Sequence, residues 1–309
     1  MKTVVIGGTG HIGTFLVPRL VEAGYEVTVV SRSKHKPYQS HAAWRAVQMV
    51  TIDRAAAERS GTFGRRIAKL APDVVIDLIC FTPASARQLV AALRGKVRHF
   101  LHCGTIWVHG HSAQVPTTED QPRRPICEYG TLKAAIESYL LGEARKHGFP
   151  ATILHPGHIV GPGWNPLNPA GHFNPVVFKM LSRGEEIALP NLGMETVHHV
   201  HADDVAQGFM QALANWTTAV GENFHIVSPG AVTLRGYAES MAAWYGRKAR
   251  LRFLPWDAWR KTVAPVEAEQ TLDHIAHSPC CSIEKARRIL GYAPRYSSLR
   301  AVQEAVAGF

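Results

Sequence analysis

The chain has 309 residues, 46% apolar and 19% charged, with a formal charge of +10. That composition suits a globular protein with a large core and one or two domains, and excludes a disordered or low-complexity chain. No apolar run is long enough for a transmembrane helix, the N-terminus lacks the features of a secretory leader, and five cysteines without a Cys-x-x-Cys pair predict free thiols in a cytoplasmic protein.

The first element is a buried strand over 3–7, a β-branched apolar run. The glycine-rich turn GGTGHIG follows, then an amphipathic helix over 11–24. Strand, glycine turn and helix in this order cradle a pyrophosphate, because glycines let the backbone approach and the helix N-terminus offers free N–H groups. Gly7, Gly10, His11, Ile12 and Gly13 are the candidate dinucleotide contacts. The next strand, 26–31, runs into Ser31-Arg32-Ser33-Lys34. The acidic residue that usually holds an NAD ribose is missing there, whereas Arg32 and Lys34 suit a 2′-phosphate. NADP is therefore the expected cofactor, with NAD remaining open.

Further strands are predicted over 46–52, 73–80, 98–104 and 151–155, alternating with helices near 62–71, 83–94 and 127–148. This alternation predicts an α/β, Rossmann-type doubly wound parallel sheet with ligands at the strands' carboxyl ends. After Pro156 the composition changes, and 161–175 is rich in Gly, Pro and Asn. Helices near 172–183, 203–215, 233–246, 283–290 and 298–307 and a strand over 222–227 complete the reading. The expected division is a dinucleotide-binding domain over 1–160, with added elements near 196–228, and a smaller substrate-binding lobe over 161–195 and 229–309.

Tyr129 and Lys133, in EYGTLK, lie four apart and so share a helix face. A neighbouring ammonium is expected to lower the phenol pKa, letting Tyr129 exchange a proton with a substrate oxygen while a cofactor carries hydride. Thr105 falls at the end of the 98–104 strand, where its hydroxyl can orient that oxygen. Thr105, Tyr129 and Lys133 are the expected catalytic set. Trp107, His158, His172 and Asn174 are the candidate substrate contacts. Seventeen histidines include the cluster His198, His199 and His201, but no complete ligand spacing is present and no metal is expected. The basic residues are scattered and read as solvated surface, so nucleic acid is not an expected partner.

On GGTGHIG, Asp53, DVVIDLICF, Thr105, Tyr129/Lys133, HPGHIVGPG and VHADDVA, the chain resembles the extended short-chain dehydrogenase/reductase superfamily, in its NAD-dependent epimerase/dehydratase branch. The resemblance implies that Lys133 also holds the nicotinamide ribose, that Ile52 and Asp53 border the adenine, and that Pro156, His158 and Ile159 pass beside the nicotinamide. It departs from the family pattern at Cys103-Gly104-Thr105, at His155 in place of an arginine, at Val160 in place of a tyrosine, and at Val197, where many members carry a pyrophosphate-gripping arginine. The expected activity is oxidoreduction of a carbonyl or hydroxyl on a small polar, sugar-like molecule. The alternatives are a sugar or nucleotide-sugar epimerase with tightly held cofactor, and a non-catalytic RNA-binding or scaffold relative. A small-molecule substrate is the expected partner, with a homodimer allowed and no membrane association.

Overall fold

A computed structural model describes residues 1–307. The first half alternates as expected: β1 (Lys2–Ile6), α1 (His11–Glu22), β2 (Glu26–Ser31), β3 (Gln48–Thr51), α2 (Arg54–Arg59), α3 (Phe63–Ala68), β4 (Val74–Asp77), α4 (Pro83–Leu93), β5 (His99–Cys103), α5 (Glu128–His147) and β6 (Ala151–Pro156). There follow β7 (His158–Val160), α6 (Val176–Arg183), β8 (Glu186–Pro190), β9 (Thr196–Val197), β10 (His199–His201), α7 (Ala202–Ala214), α8 (Trp216–Ala219) and β11 (Asn223–Ile226). The chain ends through β12 (Val232–Thr233), α9 (Leu234–Trp244), β13 (Arg250–Leu254), α10 (Trp256–Trp259), α11 (Pro265–His277), α12 (Glu284–Leu290) and α13 (Ser298–Val306).

Seven strands form one sheet in the order β3-β2-β1-β4-β5-β6-β11, parallel throughout. The order reverses between β1 and β4, which opens a crevice at their carboxyl ends. Both faces are covered over the inner strands, so β1, β2 and β4 read as largely apolar buried runs, whereas the edge strand β3 is mostly exposed. Leu16, Val17 and Leu20 of α1 pack with Val205 and Phe209 of α7 and Leu290 of α12 on one face. Phe63, Ile67, Leu89, Leu93, Ile136 and Leu140 from α3, α4 and α5 cover the other. A third core, with Val160, Phe178, Leu181, Val197, Tyr237, Trp259 and Val302, lies among the later elements.

Three expectations are corrected. The helix read over 62–71 is α3 alone, and α2 precedes it, separated by Ser60, Gly61 and Thr62, with Asp53 Oδ1 accepting from Ala56 N to cap α2. The helix read near 172–183 begins only at Val176, because Asn168 Oδ1 accepts from Ala170 N and His172 N and folds the preceding stretch into a turn. Helix α11 was not anticipated: its buried face is Ala268, Thr271, His274 and His277, while Val266 and Leu272 are exposed. Without an apolar stripe it lacks the helical signal.

Candidate active site

Tyr129 and Lys133 are on the first turns of α5, whose N-terminus is capped by Cys127 Sγ accepting from Gly130 N. Thr105 follows β5 and caps the short 3-10 turn Ile106–His109, accepting from Trp107 N at 3.3 Å. All three line one cavity of about 250 Å³ with Gly7, Gly10, His11, Ile12, Pro156 and Ile159. Lys133 is 1% exposed, and its Nζ donates to Cys80 O at 2.8 Å and Cys103 O at 2.7 Å. An ammonium has three protons, so one remains for a ligand. Burial lowers the Lys133 pKa from its usual value.

The expected depression of the Tyr129 pKa is not found. Tyr129 as a whole is 41% exposed, but the enclosed surroundings of its hydroxyl push the phenol above the ordinary tyrosine range, and the hydrogen bond with the Thr105 side chain only partly counters this. The physical reason is the Lys133 geometry: its Nζ is 5.9 Å from the Tyr129 ring centroid and is engaged with two carbonyls. Tyr129 is therefore held as a phenol, the form that gives a proton.

A second cavity of about 450 Å³ shares Gly7, Gly10, Ile79 and Phe81 with the first and is lined by Arg32, Lys34, Ile52 and Asp53. Together the two run along the carboxyl ends of β1 and β4. Helix α1 begins between them with no side-chain cap and no acidic residue in its first turn. Uncapped N–H groups and an unopposed dipole end fit a diphosphate. A Cβ on Gly13 would come 2.0 Å from Gly8 O, so the close packing of turn and helix needs that glycine. The residues present thus fit a dinucleotide. Arg32 and Lys34 are exposed at the outer end of the crevice. Asp53 is held below the usual carboxylate range, chiefly by the Ala56 amide, with Arg32, Arg59 and Lys34 adding to it.

Two segments meet above the glycine turn. His11 stacks on Trp164 with ring centroids 3.6 Å apart and planes within 5°, and Tyr38 lies 4.6 Å from the same imidazole. Trp164 Nε1 donates to Ile159 O, and Tyr38 N donates to Thr14 Oγ1. Burial pushes the His11 pKa down to about 4, so the stacked ring is neutral at physiological pH.

Beside Tyr129, Trp107 lies edge-on at 6.3 Å and stacks on His277 at 4.1 Å, without lining the cavity. His158 turns toward Trp107 and His274, whose rings lie 5.9 and 4.6 Å away. Its Nε2 has no hydrogen-bond partner among the described residues, and burial holds its pKa well below the usual value. Phe173 lies against His274. His274 and His277 come from α11, so the sequence reading missed them with their helix. His172 and Asn174 are not brought to Tyr129. They line a separate cavity of about 390 Å³ with Met180, Arg252, Trp259 and Glu267, and Asn174 Nδ2 donates to Glu267 Oε1 at 2.6 Å.

The His198–His201 cluster is dispersed: His198 Nε2 meets Ser228 O, His199 Nε2 meets Leu167 O, and His201 stacks on Tyr296. Among the described residues no three His, Cys, Asp or Glu side chains gather as metal ligands, and no helix is long and apolar enough to cross a membrane.

A model of the NAD dependent epimerase/dehydratase family matches residues 3–226. The chain belongs to that family. It is accordingly an enzyme of an NAD-dependent class, and the α/β fold with its parallel sheet is the family's. It is similar to the chloroplast stem-loop binding protein of 41 kDa b from Arabidopsis thaliana, with 26% identity over 96% of this chain and 75% of that protein. It is also similar to a UDP-glucose 4-epimerase from Streptomyces lividans, with 25% identity over 69% of this chain and 71% of the other. Among solved structures, the UDP-glucose 4-epimerase from Thermotoga maritima has the same fold, with a TM-score of 0.75 and 22% identity over 99% of this chain and 98% of that one.

Within this family framework, two departures in the sequence are one structural feature. A Cβ on Gly104 would come 2.4 Å from His155 Nδ1, so the imidazole occupies the space a side chain at 104 would take. Val197 is fully buried in the third core and presents no charge.

Proposed function

We propose that the protein is an NAD(P)-dependent oxidoreductase that interconverts a carbonyl and a hydroxyl on a small polar, sugar-like metabolite, with NADP as preferred cofactor. The observation that carries this reading is the convergence of Thr105, Tyr129 and Lys133 with the glycine turn on one cavity. The bound dinucleotide would supply or accept hydride. Gly10, His11 and Ile12 would hold its diphosphate, and Arg32 and Lys34 its 2′-phosphate. The free proton of Lys133 would go to the nicotinamide ribose. Pro156, Gly157 and Ile159 form the facing wall of the cavity. Thr105 Oγ1 orients the substrate oxygen, and the Tyr129 phenol gives that oxygen its proton or takes it back in reverse. Preorganised donors of this kind act without rearranging during the reaction. Trp107, edge-on to Tyr129 at 6.3 Å, and His158, 5.9 Å from Trp107, would pack on and hydrogen-bond the substrate, although neither lines the cavity that holds Tyr129. Val197 leaves no arginine for a diphosphate, which favours a compact substrate over a nucleotide sugar.

A second reading is a sugar epimerase that keeps its cofactor. The stack of His11 on Trp164, beside the glycine turn, favours it, as does the likeness to UDP-glucose 4-epimerases. The two are separated by incubating the protein with NADPH or NADP⁺ and a panel of aldoses, aldonolactones and UDP-hexoses. Net change in nicotinamide absorbance supports the oxidoreductase; conversion of a sugar without it supports the epimerase. If the protein binds neither dinucleotide, both readings fail.

A further inference from the structure

The Thr105 backbone is held from outside the cavity. Its N–H donates to His155 Nδ1 at 2.9 Å, and both residues are buried. An accepting Nδ1 places the ring proton on Nε2. That nitrogen lies 3.2 Å from Glu137 Oε1. Glu137 is fixed in turn: Arg123 Nε and Nη2 donate to its two oxygens at 3.0 and 2.7 Å, and Asn223 Nδ2 donates to Oε1 at 2.8 Å. The imidazole is thus held by one hydrogen bond at Nδ1, with Glu137 near Nε2 but not in hydrogen-bond geometry, and it lies against Gly104, where a Cβ would collide with it.

Tyr129, Lys133 and Glu137 follow at steps of four on α5 and form one stripe of that helix. The first two face the cavity, and the third meets His155. The other titratable neighbours are His102 on β5, His109 after Thr105, His225 on β11 and Glu119 in the loop before α5. His225 pairs with His155 across the strands, and its Nε2 meets His109 Nε2 at 2.8 Å.

We infer that His155 is a positioning residue: its Nδ1, accepting from the Thr105 N–H, fixes the Thr105 backbone relative to Tyr129 and so sets the approach of the Thr105 and Tyr129 hydroxyls. The inference rests on the reading of Thr105 and Tyr129 as partners at the substrate oxygen. Small displacements matter there, since an error of about 1 Å in a reacting geometry costs roughly 100-fold in rate. His155 touches no reacting atom; its effect passes through a single backbone hydrogen bond.

The test is nuclear magnetic resonance on the full chain saturated with NADP⁺, labelled with ¹⁵N-threonine, ring-¹⁵N-histidine and ¹³Cζ-tyrosine. The ring of His155 should carry its proton on Nε2, and the Thr105 amide should be protected from exchange. In His155→Leu the Thr105 amide should exchange roughly 10- to 100-fold faster, and the Tyr129 ¹³Cζ resonance should move. His155→Asn, whose Oδ1 replaces Nδ1 as acceptor, should restore both signals to near the wild-type positions. Should the leucine variant not fold, the tautomer of the wild-type ring and the asparagine variant still decide the matter. A proton on Nδ1, or an asparagine variant whose Thr105 amide is unprotected, overturns the inference. Thr105→Val separates the two levels. If it moves the Tyr129 resonance and His155→Leu does not, only the role of His155 falls. If it leaves Tyr129 unmoved, the Thr105–Tyr129 pairing itself falls.

Discussion

Lys133 stands one helical turn beyond Tyr129, yet its ammonium gives two protons to Cys80 O and Cys103 O and lies 5.9 Å from the tyrosine ring centroid. The lysine therefore ties the ends of β4 and β5 to α5 as well as facing the cavity. Lys133→Met leaves two carbonyls without their donor, a loss of about 2 kcal/mol or more. The melting temperature should fall by roughly 5 °C, and NADP⁺ affinity should fall with it. Unchanged melting in a scanning calorimeter would show that Nζ does not hold these carbonyls.

Arg32 lies at the outer end of the crevice beside Lys34, with no carboxylate at the end of β2 to receive a ribose hydroxyl. Arg32→Ala should weaken NADP⁺ binding by roughly 10- to 100-fold, the worth of a charge-assisted hydrogen bond. NAD⁺ binding should change little. Isothermal calorimetry with both cofactors reads the difference, and equal losses for the two would place Arg32 elsewhere.

His11, on the wall of the cavity beside the glycine turn, stacks on Trp164. Trp164→Ala should shorten the residence time of bound NADPH by roughly 2- to 10-fold, in keeping with the energy of an aromatic pair. Stopped-flow displacement, followed by nicotinamide fluorescence, measures it. A residence time unchanged by the substitution would mean that the stack does not gate release, and would remove the structural support for a retained cofactor.

Four buried imidazoles should make the fold acid-sensitive. Burial pushes the pKa of His99, His198 and His274 down to about 4 and that of His199 to about 3, from 6.5. Below pH 6.5 the unfolded chain then binds protons that the native state refuses, so stability falls as pH falls, down to about pH 4. At pH 5 each ring costs about 2 kcal/mol, and together they approach the whole stability of a typical protein. Urea midpoints should drop steeply between pH 7 and 5. A flat profile would mean that these rings accept protons in place.

The alternating strands and helices, the glycine turn and the Thr105, Tyr129 and Lys133 positions were legible because each leaves a local pattern: β-branched runs, a GGTGHIG turn, a four-residue helical spacing. What stayed hidden depends on long-range packing. Helix α11 buries Thr271, His274 and His277 rather than an apolar stripe, so periodicity could not reveal it or its imidazoles beside Trp107. The pairing of β8 with β13 joins short segments far apart in the chain. His172 and Asn174, grouped with His158 by composition, belong to another cavity because the Asn168 turn directs them there. The link between Gly104 and His155 was visible only as two separate departures, since the contact that unites them crosses from β6 to the end of β5.

The central claim is that Tyr129 gives a proton to a substrate oxygen as hydride moves between cofactor and substrate carbon. It is tested most directly with NADPH deuterated at the transferable position. The wild-type protein and Tyr129→Phe are each incubated with the mixture of aldoses, aldonolactones and UDP-hexoses, and the sugars are analysed by mass spectrometry. Deuterium on a product carbon with the wild-type protein, its loss with Tyr129→Phe, and similar NADPH affinity for both is the predicted result. Deuterium transfer by Tyr129→Phe within about tenfold of the wild-type rate, more than the loss of a working general acid allows, would contradict the account.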